Sequence, residues 1–331
     1  MKLIVKRVIM VICSLFMLQV ADAENNNVTM KKVKFNNKGI EMAGHLFLPE
    51  KMASGKTYPS IVCASPAGSV KEQSSGLYAR KLAEQGFVTL AFDPSHQAES
   101  GGYPRYEENP YDRVEDIRSA VDYLTTLPFV DRNRISAMGL CAGAGYTINA
   151  ALTDRRIKVV VGVSGTDAGA VIRDGWTGGV SREEKIKFLE MVSEERTAIA
   201  NGAEPVYGNY VPENVTEDLP VTMKEAHEYY RTPRAQYPTS ENKVLLASMS
   251  NIYTFEAFHL IDELLTQPLL MIAGTKSDVL YVSERAIERA ASKTKELYLV
   301  EGATHIDMYD RQPYVDEAIG KITAFLDFNL K

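Results

Sequence analysis

Short apolar runs alternate with longer amphipathic segments in two separate stretches of this chain, and that rhythm narrows the fold more than any other feature. In the first stretch, runs at 60–64, 87–92, 135–140 and 159–163 predict strands. The segments between them, at 76–85, 114–127 and 142–152, predict helices. The run 159–163 has no polar alternation, the pattern of a parallel strand covered on both faces. After Ser164-Gly165 the rhythm stops, and it resumes with a strand at 268–273, a helix at 282–292, a strand at 296–300 and a last helix at 313–330. Neither stretch alone supplies a complete sheet, so the expectation is one α/β domain over 24–331 with a mostly parallel, doubly wound sheet. A helical cap is expected as an insertion at about 167–258. Ahead of the alternation, 28–35 and 40–48 flank Asn36-Asn37-Lys38-Gly39, a turn-forming cluster that predicts an antiparallel strand pair at the sheet edge.

The first 23 residues are expected to leave the mature protein. Lys2, Lys6 and Arg7 precede an apolar run from Val8 to Val20 that ends in Ala21-Asp22-Ala23, the signature of a cleavable signal peptide. The run is shorter than the ~20 residues of a membrane-spanning helix, so the reading is export, periplasmic or extracellular, with no permanent membrane anchor. Cys13 lacks the small residue that precedes a lipid-modified cysteine. The whole chain has a formal net charge of −6, and removing a leader of net positive charge makes the remainder more acidic, which argues against nucleic acid as a partner. Two remaining cysteines, Cys63 and Cys141, do not make a disulfide framework.

The chemistry concentrates at Gly139-Leu140-Cys141-Ala142-Gly143, where the strand at 135–140 must turn sharply into a helix. Glycines on both sides of Cys141 remove the Cβ atoms that would obstruct such a turn. The thiol then stands at a helix N-terminus, where free N–H groups favour a thiolate. The strand at 268–273 runs into Gly274-Thr275-Lys276-Ser277-Asp278, and the next strand into Glu301-Gly302-Ala303-Thr304-His305. An acid and a base thus leave adjacent strands at the edge where Cys141 opens. A buried inert cysteine, a solvated aspartate and a packing histidine are the ordinary alternatives taken singly; their convergence favours a Cys141-His305-Asp278 triad. Two backbone N–H groups are expected to form the oxyanion site, that of Ala142 and, because Pro66 has none, that of Ala67 in Ser65-Pro66-Ala67-Gly68-Ser69. His96, in Pro94-Ser95-His96-Gln97, opens on the same edge but has no acid partner and reads as a loop-packing residue. No cluster has metal-ligand spacing and no glycine-rich phosphate loop follows the first parallel strand. Neither a metal nor a cofactor is expected.

These residues resemble the α/β-hydrolase superfamily, in particular the dienelactone-hydrolase-like branch with G-x-C-x-G in place of G-x-S-x-G. Gly68-Ser69-Val70-Lys71-Glu72-Gln73, Ala91-Phe92-Asp93 with Glu99-Ser100-Gly101-Gly102, and Asp131-Arg132-Asn133-Arg134-Ile135 are similar to landmarks of bacterial members of that group. The resemblance covers most of 24–331. It implies Cys141 as nucleophile, His305 as base and Asp278 as acid, and their chain order is that of the superfamily. Two departures restrict the specificity that can be carried over: Ser65-Pro66 replaces a His-Gly pair, and the glutamate that dienelactone hydrolases place in that loop is absent, Glu72 lying too far along. The expected activity is hydrolysis of an ester, thioester or lactone of a small-molecule acyl substrate through a cysteinyl acyl-enzyme. The alternatives are a ligand-binding protein that keeps the scaffold without the chemistry and an acyltransferase to an acceptor other than water.

Overall fold

A computed structural model describes residues 28–331; the expected signal peptide lies outside them. Strands β1 (Val28–Asn37), β2 (Ile40–Pro49) and β3 (Tyr58–Ala64) are followed by helix α1 (Ser74–Glu84), β4 (Val88–Phe92), α2 (Pro110–Thr126), β5 (Val130–Leu140), α3 (Ala142–Thr153) and β6 (Ile157–Val163). Between β6 and the next strand of the main sheet come α4 (Ala168–Asp174), α5 (Arg182–Ala200), the short β7 (Tyr207–Gly208), α6 (Val221–Arg231), β8 (Val244–Leu245), α7 (Met249–Tyr253) and α8 (Ile261–Leu264). The chain closes with β9 (Leu269–Gly274), α9 (Leu280–Arg289), β10 (Lys295–Val300), α10 (Asp307–Asp310) and α11 (Tyr314–Asn329).

The main sheet has eight strands in the order β1-β2-β4-β3-β5-β6-β9-β10. The first two pair antiparallel across Asn36–Asn37 and Ile40, β2 is antiparallel to β4, and the neighbours from β4 to β10 pair in parallel. The alternation in the sequence arises because successive residues of a strand face opposite layers. Val160 belongs to the apolar cluster that includes Ile117 of α2 and Ile148 of α3 on one face, while Val159 and Val161 belong to the cluster that includes Leu82 of α1 and Ile322 of α11 on the other. Strand β5 begins earlier than its apolar run: Tyr58 pairs with Val130, and a register shift follows before Ser60 meets Ile135. The intervening Asp131-Arg132-Asn133-Arg134 is polar enough to read as loop. Parallel strands all end at one rim, and β3, β5, β9 and β10 deliver their exit loops there.

The segment between β6 and β9 contributes no strand to the main sheet; β7 and β8 pair only with each other. Its longest helix, α5, buries only Val192, and α6 buries Thr222, Ala226, Tyr229 and Tyr230 against the rim. None of the described helices is long and apolar enough to cross a membrane.

Candidate active site

Cys141 occupies the apex between β5 and α3 with φ 52° and ψ −122°, a conformation that L-residues avoid and that persists only where the surroundings enforce it. Its N–H donates to the Val163 carbonyl (3.1 Å), and its own carbonyl accepts from the N–H groups of Ala144 and Thr166 (both 3.0 Å). The flanking glycines are required by space. A Cβ on Gly139 would lie 2.1 Å from the Gly143 carbonyl, and one on Gly143 would lie 2.7 Å from the carbonyl oxygens of Ala64 and Ser65. These are backbone atoms that cannot step aside. Gly139→Ala is therefore expected to cost at least about 3 kcal/mol, read by thermal unfolding as a midpoint lowered by roughly 5 °C or more. An unchanged midpoint would rule out this tight crossing.

The thiol is buried, at 7 % exposure, and so are His305 at 0 % and Tyr309 at 1 %. Sγ lies 3.7 Å from Thr166 Oγ1, and Tyr309 Oη lies 3.4 Å from His305 Nε2. Burial pushes the Cys141 thiol up, but the charge of His305 and polar contacts with His305, Tyr309 and Thr166 outweigh it and hold the thiol below its ordinary value. The other cysteine among the described residues is a useful contrast: Cys63, in the middle of β3, is completely buried and burial alone drives its thiol far up. Both are free thiols. Trp176 stands edge-on to the His305 ring at 5.7 Å and closes that side of the imidazole.

Asp278 follows β9 as expected, yet its carboxylate is not hydrogen-bonded to His305. It accepts from the Thr222 N–H (3.2 Å) and from the Thr222 hydroxyl, while His305 Nδ1 is buried without a partner. The physical reason is local: Thr222 sits in the first turn of α6, where backbone N–H groups lack intrahelical acceptors. Its N–H and hydroxyl together offer the carboxylate two donors. The structure thus brings Cys141 and His305 together and attaches Asp278 to the inserted segment.

Ala142 is the first residue of α3, so its N–H has no intrahelical acceptor. Ala67 lies in a turn closed by Ser69 N–H to the Pro66 carbonyl (3.2 Å) and lines the same cavity as Cys141 and Ala142. That turn is fixed from behind. Lys71, 1 % exposed, donates from its backbone N–H to Asp93 Oδ1 (2.9 Å) and from Nζ to Asp93 Oδ2 (2.7 Å) and Glu99 Oε2 (2.6 Å). Glu72 pairs with Lys71 Nζ at 2.9 Å. His96 is buried, with Nδ1 2.9 Å from the Pro104 carbonyl oxygen, and packs its own loop.

The cavity over Cys141 has a volume of about 160 Å³. Its wall is mainly apolar, with Val171, Ile172, Trp176, Met223 and Ile252 from the inserted segment. One charged group faces it: Glu108, 1 % exposed, accepts from Tyr146 Oη (2.9 Å) and Tyr210 Oη (2.6 Å), with Arg113 Nε 3.6 Å away. Of the aromatic residues of the segment, Trp176, Tyr210 and Tyr230 line the cavity, whereas Tyr207 and Tyr237 are exposed. Sequence reasoning missed Thr166, Thr222, Glu108 and Tyr309. Only Tyr309 carried a readable signal, since it lies four residues beyond His305. Among the described residues no group of three or more His, Cys, Asp or Glu side chains is placed to hold a metal ion.

The model of the FrsA-like esterase family matches residues 19–177, the part that carries the turn at Cys141 and the loop with Ala67. An uncharacterized Escherichia coli protein, YcjY, is 43% identical over 306 residues, covering 92% of this chain and 99% of that protein. The crystal structure of the hypothetical protein PA2218 from Pseudomonas aeruginosa superposes with a TM-score of 0.87 at 36% identity, over 92% of this chain and 94% of that one. The acyltransferase drtE of Aspergillus calidoustus is 27% identical over 286 residues, 84% of this chain and 89% of that protein. With YcjY and PA2218 similar over nearly its whole length, and the FrsA-like esterase model matching the part from residue 19 to 177 that holds Cys141, the chain belongs to the α/β-hydrolase superfamily.

Proposed function

We propose that this protein is an exported hydrolase of small acyl thioesters or activated esters, with Cys141 as nucleophile, His305 as general base and Asp278 as the acid that orients His305 once its carboxylate, held by Thr222 in this structure, also takes up the unpaired Nδ1–H. The observation that carries the reading is the contrast between the two buried thiols: Cys63 is driven far up by burial, whereas Cys141, beside His305 at the mouth of an apolar cavity, is held below its ordinary value. His305 Nε2 takes the thiol proton, the thiolate attacks the acyl carbonyl, and the N–H groups of Ala142 and Ala67 receive the developing oxyanion. The leaving group takes the proton from His305. Water activated by His305 then releases a carboxylic acid and the free thiol. A carboxylate has about four acceptor sites and Thr222 uses two, so Asp278 keeps capacity for the Nδ1–H of His305.

A cysteinyl acyl-enzyme is itself a thioester, so exchange with a thioester substrate is close to balanced, and an apolar cavity with few polar groups suits a hydrocarbon acyl chain. The likeness to an acyltransferase keeps a second reading in play, in which an alcohol or amine takes the place of water. Mass spectrometry of the protein mixed with p-nitrophenyl butyrate is expected to show a butyryl increment on Cys141 and none on Cys63. Without such an increment, and with His305→Ala turning the ester over as fast as wild type, the thiol mechanism would be abandoned. Product analysis with an added alcohol separates hydrolysis from transfer.

A further inference from the structure

Tyr230 has a hydroxyl that the fold leaves without work. Carried by α6, it is 6 % exposed, and its Oη is buried with no hydrogen-bond partner in the chain. An unpaired buried hydroxyl is destabilising, and phenylalanine would fill the same space without that penalty. The ring is held edge-on against Tyr229 at 4.8 Å and Tyr309 at 6.4 Å, so the hydroxyl has a fixed direction. It lines the cavity shared by Cys141, Ala142 and Ala67, and its polar surroundings are Ser69 of the Ala67 turn, Tyr309 and the sulfur of Cys141. The Ser69 hydroxyl donates to Gln73 Oε1 at 3.0 Å and so not to the phenol, and although Ser69 and Tyr309 are near enough to act on the Tyr230 oxygen electrostatically, neither meets it in hydrogen-bonding geometry.

We propose that Tyr230 is a third donor of the oxyanion site, its O–H completing, from the inserted segment, the pair of N–H groups supplied by the core. The inference rests on Cys141 being the nucleophile. As the S–C bond forms, the carbonyl π pair moves onto oxygen, and that oxygen accepts from Ala142 N–H, Ala67 N–H and Tyr230 O–H. When the intermediate collapses the C=O re-forms and the leaving group departs with its bonding pair; the phenol keeps its proton throughout. Burial pushes this phenol well above its usual value, with the charges of Tyr229 and Cys141 adding to it, so it stays a donor across the working range. A donor on α6 also explains the use of the segment beyond shaping a cavity: the site is complete only with α6 seated on the rim.

Tyr230→Phe tests this in the full protein with p-nitrophenyl butyrate as substrate and iodoacetamide as a probe of the thiol. Loss of one such donor typically lowers kcat on the order of 10²-fold. KM and the alkylation rate of Cys141 are expected to stay within about twofold of wild type, because neither involves the tetrahedral oxygen. The unfolding midpoint is expected to hold or rise, since no hydrogen bond is lost. An unchanged kcat, a raised KM with kcat retained, or alkylation slowed in parallel with kcat would each overturn the assignment. A wild-type protein that neither turns the ester over nor reacts with iodoacetamide at Cys141 would instead overturn the nucleophile reading on which it rests.

Discussion

Cys141→Ala is expected to lower kcat for p-nitrophenyl butyrate by at least about 10³-fold, leaving only what oxyanion donors and binding provide to an attacking water. In the proposed mechanism the thiol at the apex of the turn forms the covalent intermediate, and alanine removes it. Cys141→Ser should fall as well, because an alcohol needs its proton removed far more completely by His305 than a thiol already held low. Alanine does not relieve the backbone at φ 52°, so the stability of Cys141→Ala should track wild type. Cys141→Gly separates the two properties. Glycine reaches that conformation freely, and the strain of such a residue is of order 1–3 kcal/mol. The glycine variant should therefore be inactive and yet melt higher than wild type. Full turnover by Cys141→Ala would place the chemistry elsewhere in the cavity, and a glycine variant that melts lower would contradict the strain argument.

The parallel sheet was legible because strands covered on both faces are written as continuous apolar runs: Val159, Val160 and Val161 each need an apolar neighbour, whichever side they face. The turn at Cys141 was legible because its glycines answer to backbone atoms only a few residues away or in the adjoining strand. His305 and Asp278 could be placed at the rim from the strands that precede them, but their partners could not. Thr222 reaches Asp278 across 56 residues of sequence, and nothing in the spacing of α6 announces it. The segment that carries Thr222 is also the least periodic, since α5 buries one residue and turns the rest outward. Glu108 with Tyr146 and Tyr210 is a similar case, a carboxylate that reads as solvated and is in fact enclosed by groups drawn from three parts of the chain. Lys71 is the sharpest example. Lysine is almost never fully buried unless paired, and the sequence shows three acids at Glu72, Asp93 and Glu99 without showing that they converge.

Lys71→Met is expected to cost about 3–5 kcal/mol of stability, the usual penalty for removing one partner of a buried ion pair. Methionine fills the volume of the lysine stem, so the loss reports charge and not a cavity. Asp93, at 0 % exposure, is left with backbone donors alone, from Lys71 (2.9 Å) and Glu99 (3.2 Å). Its carboxyl is already raised by burial despite Lys71, and losing the ammonium raises it further. A carboxyl whose folded value lies above its unfolded value binds protons preferentially in the native state, so the variant loses stability as pH rises through that folded value. The deficit should accordingly be larger at the higher of two pH values that bracket that folded value. Adding Asp93→Asn removes the uncompensated charge while keeping an acceptor for the Lys71 N–H, and the double variant should recover part of the loss and lose most of the extra pH dependence. Chemical denaturation at the two pH values measures both effects. A deficit that is the same at both, or a double variant less stable than the single by the full cost of a second independent mutation, would show that Lys71 is held by packing and not by Asp93. Because the same lysine anchors the turn that presents Ala67, the surviving folded fraction of Lys71→Met should also turn over ester more slowly, through a loosened oxyanion site and with Cys141 still open to iodoacetamide.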